Sequence, residues 1–185
     1  STFNNREALF DLEITEYNTI PQINRTFEPY ETLWNTTQQW LSREKALYEG
    51  EFTLIKGEEI EDEIDSFYKS ISKAFKQFTN MGMDACVKIA SQIRDKVSNF
   101  KPKIPLVQGL RNKGIRQRHL DTLSDQVGKQ IVINSQFTLQ KAVDMGLLEH
   151  GELVAKVGET AGKEYQIEKA LNEMEEEWNT NESIK

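Results

Sequence analysis

The sequence has 185 residues, of which 37% are hydrophobic and 29% are charged, and its formal net charge is −7. These proportions are typical of solvated helices rather than of a membrane protein. The polar first residues do not resemble a signal peptide. The negative net charge argues against nucleic acid as the main partner. The single cysteine, Cys86, has no Cys or His at metal-ligand spacing. The sequence therefore indicates a soluble intracellular protein without a disulfide or a zinc site.

Prolines separate the first predicted helices. Residues 7–18 are predicted to form a short helix or turn that ends before Pro21, because proline cannot continue a helix interior. A longer helix over residues 26–48 follows, with Pro29 tolerated only in its first turn and Gly50 closing it.

The second predicted helix has the clearest amphipathic pattern. Steps of four and three residues place six apolar side chains on one stripe, namely Ile60, Ile64, Phe67, Ile71, Phe75 and Phe78. Six acidic residues between positions 58 and 65 crowd its first turns, where free amides and the helix dipole favour negative charge. A calcium loop instead alternates oxygen ligands around a sharp glycine turn. We therefore predict a solvated helix start and no cation site.

A third helix and a connector are predicted next. The helix follows Met81-Gly82 and carries apolar residues at strict four-residue steps, namely Ala85, Ile89, Ile93 and Val97. Two prolines and two glycines then punctuate residues 101–114, so we predict an extended connector there.

Shorter elements are predicted in the second half. Helices are expected over residues 115–127 and 138–148, and a long final helix opens at Glu152. Between the short helices, the β-branched run 131–133 could form a brief strand or a buried loop.

The predicted architecture is all-α. We expect an elongated helical bundle with at most a very short strand near 130–137, divided by the connector into helical parts at 1–100 and 115–185. Aromatic residues at helical spacing belong to a core more often than to a ligand-binding box. The predicted core residues are Trp34, Trp40, Phe67, Ile71, Phe75, Ile89, Ile93, Leu171 and Trp178.

No catalytic constellation is recognisable in the sequence. The two histidines, His119 and His150, lie outside any Ser or Cys arrangement, and among 30 acidic residues no carboxylate pair is singled out. The segment 158–164 resembles a phosphate-binding loop, but its glycines are separated by three residues instead of four, and Glu164 stands where Ser or Thr is required. We therefore predict no catalytic, nucleotide, cofactor or metal site in this chain.

One stretch departs from the overall acidity. Six basic residues and no acidic residue lie between Lys101 and Arg118. They could bind phosphates, dock against an acidic neighbouring surface, or neutralise acidic helices of the same chain. Phe100 is the only aromatic residue in reach, whereas single-strand binders interleave several with their basic residues. Docking within a larger protein is the interpretation we favour.

The same stretch resembles the linker region of dynein heavy chains. That family carries an apolar-Pro-apolar step, then Leu-Arg/Cys-Asn-Pro-Gly, then Arg-x-Arg-His-Trp, and here residues 104–106, 110–114 and 116–120 follow most of that pattern. Lys113 and Leu120 depart from it, at the usual proline and tryptophan positions. Further similar segments cover nearly the whole chain: 137–139, 146–150, 161–164, 167–171 and Trp178, and, as in axonemal members especially, 27–30, 33–34 and 40–41.

The resemblance implies a segment of a very large microtubule motor that lies before a ring of AAA+ modules. Its partners would be the ring of the same heavy chain, other dynein chains and microtubules, with no nucleic acid and no membrane. ATP and magnesium would bind elsewhere in the full-length motor, not in this segment. The motor itself would belong to the cytoskeleton of the cytoplasm, in cilia or flagella. In the family, the linker is a curved helical rod that bends and straightens as ATP is hydrolysed.

A rod of this kind should bend at connectors that few apolar contacts cross, so residues 101–114 are the predicted joint. The candidate interaction or hinge residues are Pro105, Arg111, Asn112, Gly114, Arg116, Arg118 and His119. The alternative is a passive, spectrin-like scaffold or adaptor bundle. Such an array would show an internal repeat of roughly a hundred residues with matching tryptophans, and the sequence has no such self-similarity.

Overall fold

The computed structural model describes the backbone of residues 19–182 and the side chains of residues 27–179, and within these limits it is helical and contains no strand. The all-α fold class is therefore confirmed. The helices are α1 (Thr19–Glu49), α2 (Ile60–Asn80), α3 (Asp84–Phe100), α4 (Ile104–Leu110), α5 (Gln117–Val127), α6 (Leu139–Asp144) and α7 (Gly151–Glu182). Single 3₁₀ turns lie at Phe52–Leu54 and Lys101–Lys103. The short helix or turn predicted over 7–18 lies outside the described residues.

Helices α1, α2 and α3 form a bundle around an aromatic core. Trp40 is fully buried, and its ring meets Phe67 and Phe100 edge-on at centroid distances of 5.5 and 6.0 Å. Tyr30 and Phe78 make a similar contact at 4.9 Å. Because positions rise along α1 while their partners on α2 fall, these two helices are antiparallel. Each edge-on aromatic pair adds about 0.5–1.5 kcal/mol to the burial of its surface.

Two of the predicted core residues in this bundle are exposed. Trp34 is 72% exposed and Ile89 is 46% exposed, so their assignment to the core is wrong. Trp34 lies six residues before Trp40, and at about 100° per residue the two side chains point about 120° apart. Four-residue steps overshoot a helical turn by about 40° each, so the run that ends at Val97 rotates away from the core at Ile89.

The other predicted core residues of the bundle are at least half-buried. Ile71 and Ile93 lie inside the core, while Phe67 and Phe75 are partly buried against it. The Arg94 guanidinium covers the Phe75 ring, with its carbon 4.2 Å from the ring centroid.

Helix α1 begins earlier than predicted. It starts at Thr19, so Pro21 lies in its first turn, where a missing amide hydrogen costs nothing, and Pro29 lies in its interior. The break at Pro21 and the first-turn position of Pro29 are therefore wrong predictions. An interior proline costs about 3 kcal/mol, which the burial of Pro29 itself and of Leu33 and Trp40 after it can offset. The end of the helix at Glu49, just before Gly50, agrees with the prediction.

The predicted extended connector is wrong over most of its length. Residues 101–103 form a 3₁₀ turn and residues 104–110 form α4, because Pro102 and Pro105 both occupy first-turn positions, where proline is compatible with a helix. Four apolar side chains of α4 are buried, namely Ile104, Leu106, Val107 and Leu110. Residues 101–110 are therefore part of the packed structure.

Residues 129–138 form a loop, which is the second of the two possibilities that the sequence left open. Ile131 is buried, and its N–H donates to Ser124 Oγ at 2.9 Å. The Phe52 N–H donates to the carbonyl of Phe137 at 3.0 Å, and the two rings meet edge-on. The loop is thereby fixed to the 3₁₀ turn that follows α1.

Among the described helices, none combines the length and the apolar character needed to cross a membrane.

Candidate functional site

Helices α4 and α7 cross at very close range. A Cβ atom built on Gly158 would lie only 2.7 Å from the Cα of Gly109, and one built on Gly109 would lie 2.8 Å from the carbonyl oxygen of Val154. Real Cβ atoms do not approach backbone atoms this closely, so α4 and α7 touch backbone to backbone. Only glycine at both positions permits this separation.

The turn after α4 continues the same contact along α7. A Cβ on Gly114 would overlap the carbonyl oxygen of Ala161, and one on Gly162 would lie 3.0 Å from Asn112 Nδ2. The Asn112 side-chain oxygen accepts the Gly114 N–H at 2.9 Å, which holds the turn in shape. We call Gly109, Gly114, Gly158, Ala161 and Gly162 the glycine seam.

The seam gives a role to the segment that resembles a phosphate-binding loop. Gly158 and Gly162 lie inside α7 and four residues apart, so both face the same side of the helix. That side packs against α4 and the Asn112 turn. The glycine spacing therefore supports close helix packing.

The basic stretch crosses over the acidic start of α2. Lys101 Nζ lies 2.7 Å from Asp65 Oδ1, and Lys113 Nζ lies 3.0 Å from Glu58 Oε1. Arg111 Nε donates to the carbonyl of Ile55 at 2.8 Å. The Lys101 hydrogen bond lowers the pKa of the Asp65 carboxyl, and the Glu58 hydrogen bond raises the pKa of the Lys113 ammonium.

The same stretch reaches α7 on its other side. Arg116 Nη2 lies 3.1 Å from Glu168 Oε2, and Arg118 is paired with Glu164. The hydrogen bond from Arg118 is the main reason why the pKa of Glu164 is lowered, and His119 contributes in the same direction. The basic stretch therefore bridges α2 and α7, so neutralisation of acidic helices within the chain is the use that these contacts show.

His119 is buried and orders the start of α5. Its Nδ1 accepts the Arg116 N–H at 3.0 Å, and its Nε2 lies 3.1 Å from Glu164 Oε2. This arrangement fits a neutral ring with the proton on Nε2, which donates to the carboxylate. The ring therefore links the start of α5 to Glu164 on α7 through hydrogen bonds.

Six of the seven candidate residues predicted from the sequence lie along this bridge. They are Arg111, Asn112, Gly114, Arg116, Arg118 and His119, whereas Pro105 is exposed in the first turn of α4. Phe100 is buried in the aromatic core and cannot stack on a nucleobase. The two departures from the family pattern have separate roles. Lys113 pairs with Glu58, and the Leu120 side chain is buried.

The sequence interpretation missed the partners of these residues. The acidic start of α2 was predicted to be merely solvated, yet Glu58 and Asp65 receive basic side chains, and Glu63 receives both nitrogens of the Arg43 fork at 2.5 and 2.9 Å. The opposite charges of the two segments were the available signal. Within the described residues, no group of three or more His, Cys, Asp or Glu side chains could hold a metal ion.

Comparison with known proteins gives one family. The family model described as "Dynein heavy chain, N-terminal region 2" matches residues 20–183. Human dynein axonemal heavy chain 1 is 40% identical over 178 residues, which are 96% of this chain and 4% of that protein. Human axonemal heavy chain 3 is 27% identical, with 95% of this chain and 4% of that protein covered, and rat axonemal heavy chain 12 is 28% identical, with 95% and 6% covered. The chain thus spans only a small part of the curated relatives that it matches.

Proposed function

We propose that this chain, which belongs to the dynein heavy chain N-terminal region 2 family, is a mechanical linker segment that couples changes in an AAA+ ring to force on a microtubule. The relatives with the names quoted above are axonemal, so we place the motor in cilia or flagella. The ring would belong to the same heavy chain, and other dynein chains and microtubules would be reached through the assembled complex.

The observation that carries this proposal is the glycine seam with its flanking ion pairs. A lever must transmit displacement without absorbing it, so its helices should have no freedom to slide past each other. Gly109 and Gly158 contact each other through their backbones, so neither contributes a flexible side chain to the crossing. The basic stretch ties α2 on one side and α7 on the other, so a displacement of one helix is passed to the other.

We also propose that the segment binds no nucleotide, and that ATP and magnesium act elsewhere in the motor. Gly158 and Gly162 pack against Gly109 and Asn112, so their backbones are not free to surround a phosphate, which supports this proposal. Isothermal titration of this chain and of a longer heavy-chain fragment with magnesium and ATP tests it. We expect heat only from the longer fragment, and binding by residues 1–185 alone would contradict the proposal.

The mechanical role is tested with Gly158→Ala in a full-length heavy chain. The added methyl group pushes α7 away from α4, so microtubule gliding velocity should fall more than microtubule-stimulated ATPase. Gly151→Ala is the matched control, because a Cβ there meets no atom within 4 Å. A passive scaffold would leave the ratio of velocity to ATPase unchanged in both variants, and that result would reject the linker role.

Charge reversal of Arg111, Arg116 and Arg118 examines the bridge itself. These side chains contact the Ile55 carbonyl, Glu168 and Glu164, so the triple variant should also reduce velocity per ATP hydrolysed. Unchanged velocity and ATPase would show that the bridge plays no part in coupling. That residues 101–114 form a bending joint stays a prediction, which the step length of single motors carrying the same variants examines. The buried side chains of Leu106 and Val107 do not match its premise that few apolar contacts cross this stretch.

A further inference from the structure

The second half of α7 carries an apolar face with no described element packed against it. Ile167, Leu171, Met174 and Trp178 follow steps of four, three and four residues, so they share one face of the helix. They are 62%, 60%, 65% and 70% exposed. The prediction that Leu171 and Trp178 lie in the core is therefore wrong for the described part of the chain. We call these four residues the α7 stripe.

The stripe points away from the glycine seam. In the first half of α7, the residues buried against α4 and the Asn112 turn are Val154, Gly158 and Ala161. At about 100° per residue, the stripe is centred about 130° around the helix from that buried face. Helix α7 thus has two apolar faces that point in different directions, and only the first has its partner among the described helices.

The charges beside the stripe restrict what can cover it. Between residues 165 and 179, the charged side chains within about 100° of the stripe centre are Glu168, Glu175 and Glu177. Glu168 is paired with Arg116, so Glu175 and Glu177 form the acidic rim. A second copy of this chain would bring the same acidic rim against itself, and an anionic lipid surface would be repelled in the same way. A helix with one apolar side and Lys or Arg along its edges would match both the stripe and its rim.

We propose that the α7 stripe is the docking face for an amphipathic, basic-edged helix from another part of the same heavy chain. This inference rests on the proposed place of the segment in a heavy chain. Only 4% of the length of human axonemal heavy chain 1 aligns with this chain, so most of such a polypeptide is available to supply that helix. A tethered helix has a high effective concentration near the stripe and needs no separate partner.

Site-specific photo-crosslinking in the full-length heavy chain tests this inference. Benzoylphenylalanine replaces Leu171 on the stripe or, as the control, Asn172, which is also exposed but points about 100° away. After irradiation, the linked peptides are identified by mass spectrometry. We expect the Leu171 probe to join α7 to a peptide of the same heavy chain with apolar residues at three- and four-residue spacing and with Lys or Arg beside them. The Asn172 probe should not yield that product.

Three results would overturn the inference. Mixing isotopically heavy and light heavy chains would give mixed products if a second copy covers the stripe. A product with a different polypeptide would assign the stripe to another subunit. No product above the Asn172 background would leave the stripe without an occupant.

Reversal of the rim charges adds an independent measurement. The double substitution E175K/E177K should lower the Leu171 crosslinking yield at least about twofold, since it places like charges against a basic-edged helix. The control D95K/D125K makes an equal charge change at exposed positions on α3 and α5 and should leave the yield unchanged. Equal yields in both variants would contradict the basic edges. Crosslinking requires only a folded heavy chain, so it can succeed even if the glycine variants show that the segment has no role in coupling.

Discussion

The α1–α3 bundle and the glycine seam hold helices together in opposite ways. In the bundle, large rings such as Trp40 and Phe100 fill the space between helices. At the seam, Gly109 and Gly158 supply no side chain, and the backbones themselves are in contact. The bundle should therefore be sensitive to the removal of atoms and the seam to their addition.

The largest effect is expected from removing the central ring of the bundle. Trp40→Ala should lower the free energy of unfolding by about 3–5 kcal/mol, because it leaves a cavity among Phe67, Phe100 and their neighbours. Trp34→Ala removes the same atoms from a 72% exposed position and should change it by no more than about 0.5 kcal/mol. Urea denaturation followed by circular dichroism measures both. Similar losses would mean that the two tryptophans are equally buried.

Addition of one methyl group at the seam should have the next largest effect. Gly158→Ala should destabilise the chain by about 1–3 kcal/mol, because the new Cβ meets the Gly109 backbone. The helix propensity of alanine works in the opposite direction by less than about 1 kcal/mol. Gly151→Ala, with open space around its Cβ, should be neutral or slightly stabilising. A stabilised Gly158→Ala variant would show that α4 and α7 are not in backbone contact.

A smaller effect is expected from the ion pair that joins α1 and α2. Arg43 contacts Glu63 through two nitrogens, and lysine cannot reproduce that fork. Both side chains are about a third exposed, so Arg43→Lys should cost at most about 1 kcal/mol. The same substitution in a Glu63→Gln background should cost less, which a double-mutant cycle would measure. Equal costs in both backgrounds would show that the fork contributes nothing.

The smallest effect is expected from replacing Glu164, the acidic partner of Arg118 in the basic stretch. The pKa of Glu164 is lowered in the folded chain, chiefly by Arg118. Its contribution is therefore present above the usual pKa of 4.5 and is lost as the pH falls through the lower folded value. Glu164→Gln should be slightly less stable than the parent near neutral pH, and the two should converge on acidification. A difference that grows at low pH would reverse the sign.

Much of the fold was predictable from individual segments. The apolar pattern predicted a helix from Ile60 to Phe78, and α2 runs from Ile60 to Asn80, two residues further. This prediction was possible because a three- and four-residue pattern depends only on helix geometry. Helix α4 was not predictable in the same way. Its prolines were interpreted as breaks, and only the burial of Leu106 and Val107 against neighbouring helices stabilises seven residues as a helix.

The candidate site was predictable as a list of residues but not as a set of contacts. Arg111, Arg116 and Arg118 stood out because an acid-free basic stretch is unusual in an acidic chain. Their partners are up to 56 positions away, as for Arg111 and Ile55, and no local pattern links such positions. Trp34 could not be placed from its residue type either. A tryptophan on a helix favoured a core position, but the side chain points away from the bundle and is exposed.

The sequence by itself determined the all-α class, the amphipathic helices and the family resemblance, because these depend on residue type and on spacing along one helix. Only the tertiary structure decided that Gly158 and Gly162 form a packing surface, that the basic stretch bridges α2 and α7, and that α7 turns a second apolar face outwards. The physical reason is that close approach and ion pairing depend on distances between residues far apart in the chain, which packing sets and local periodicity does not.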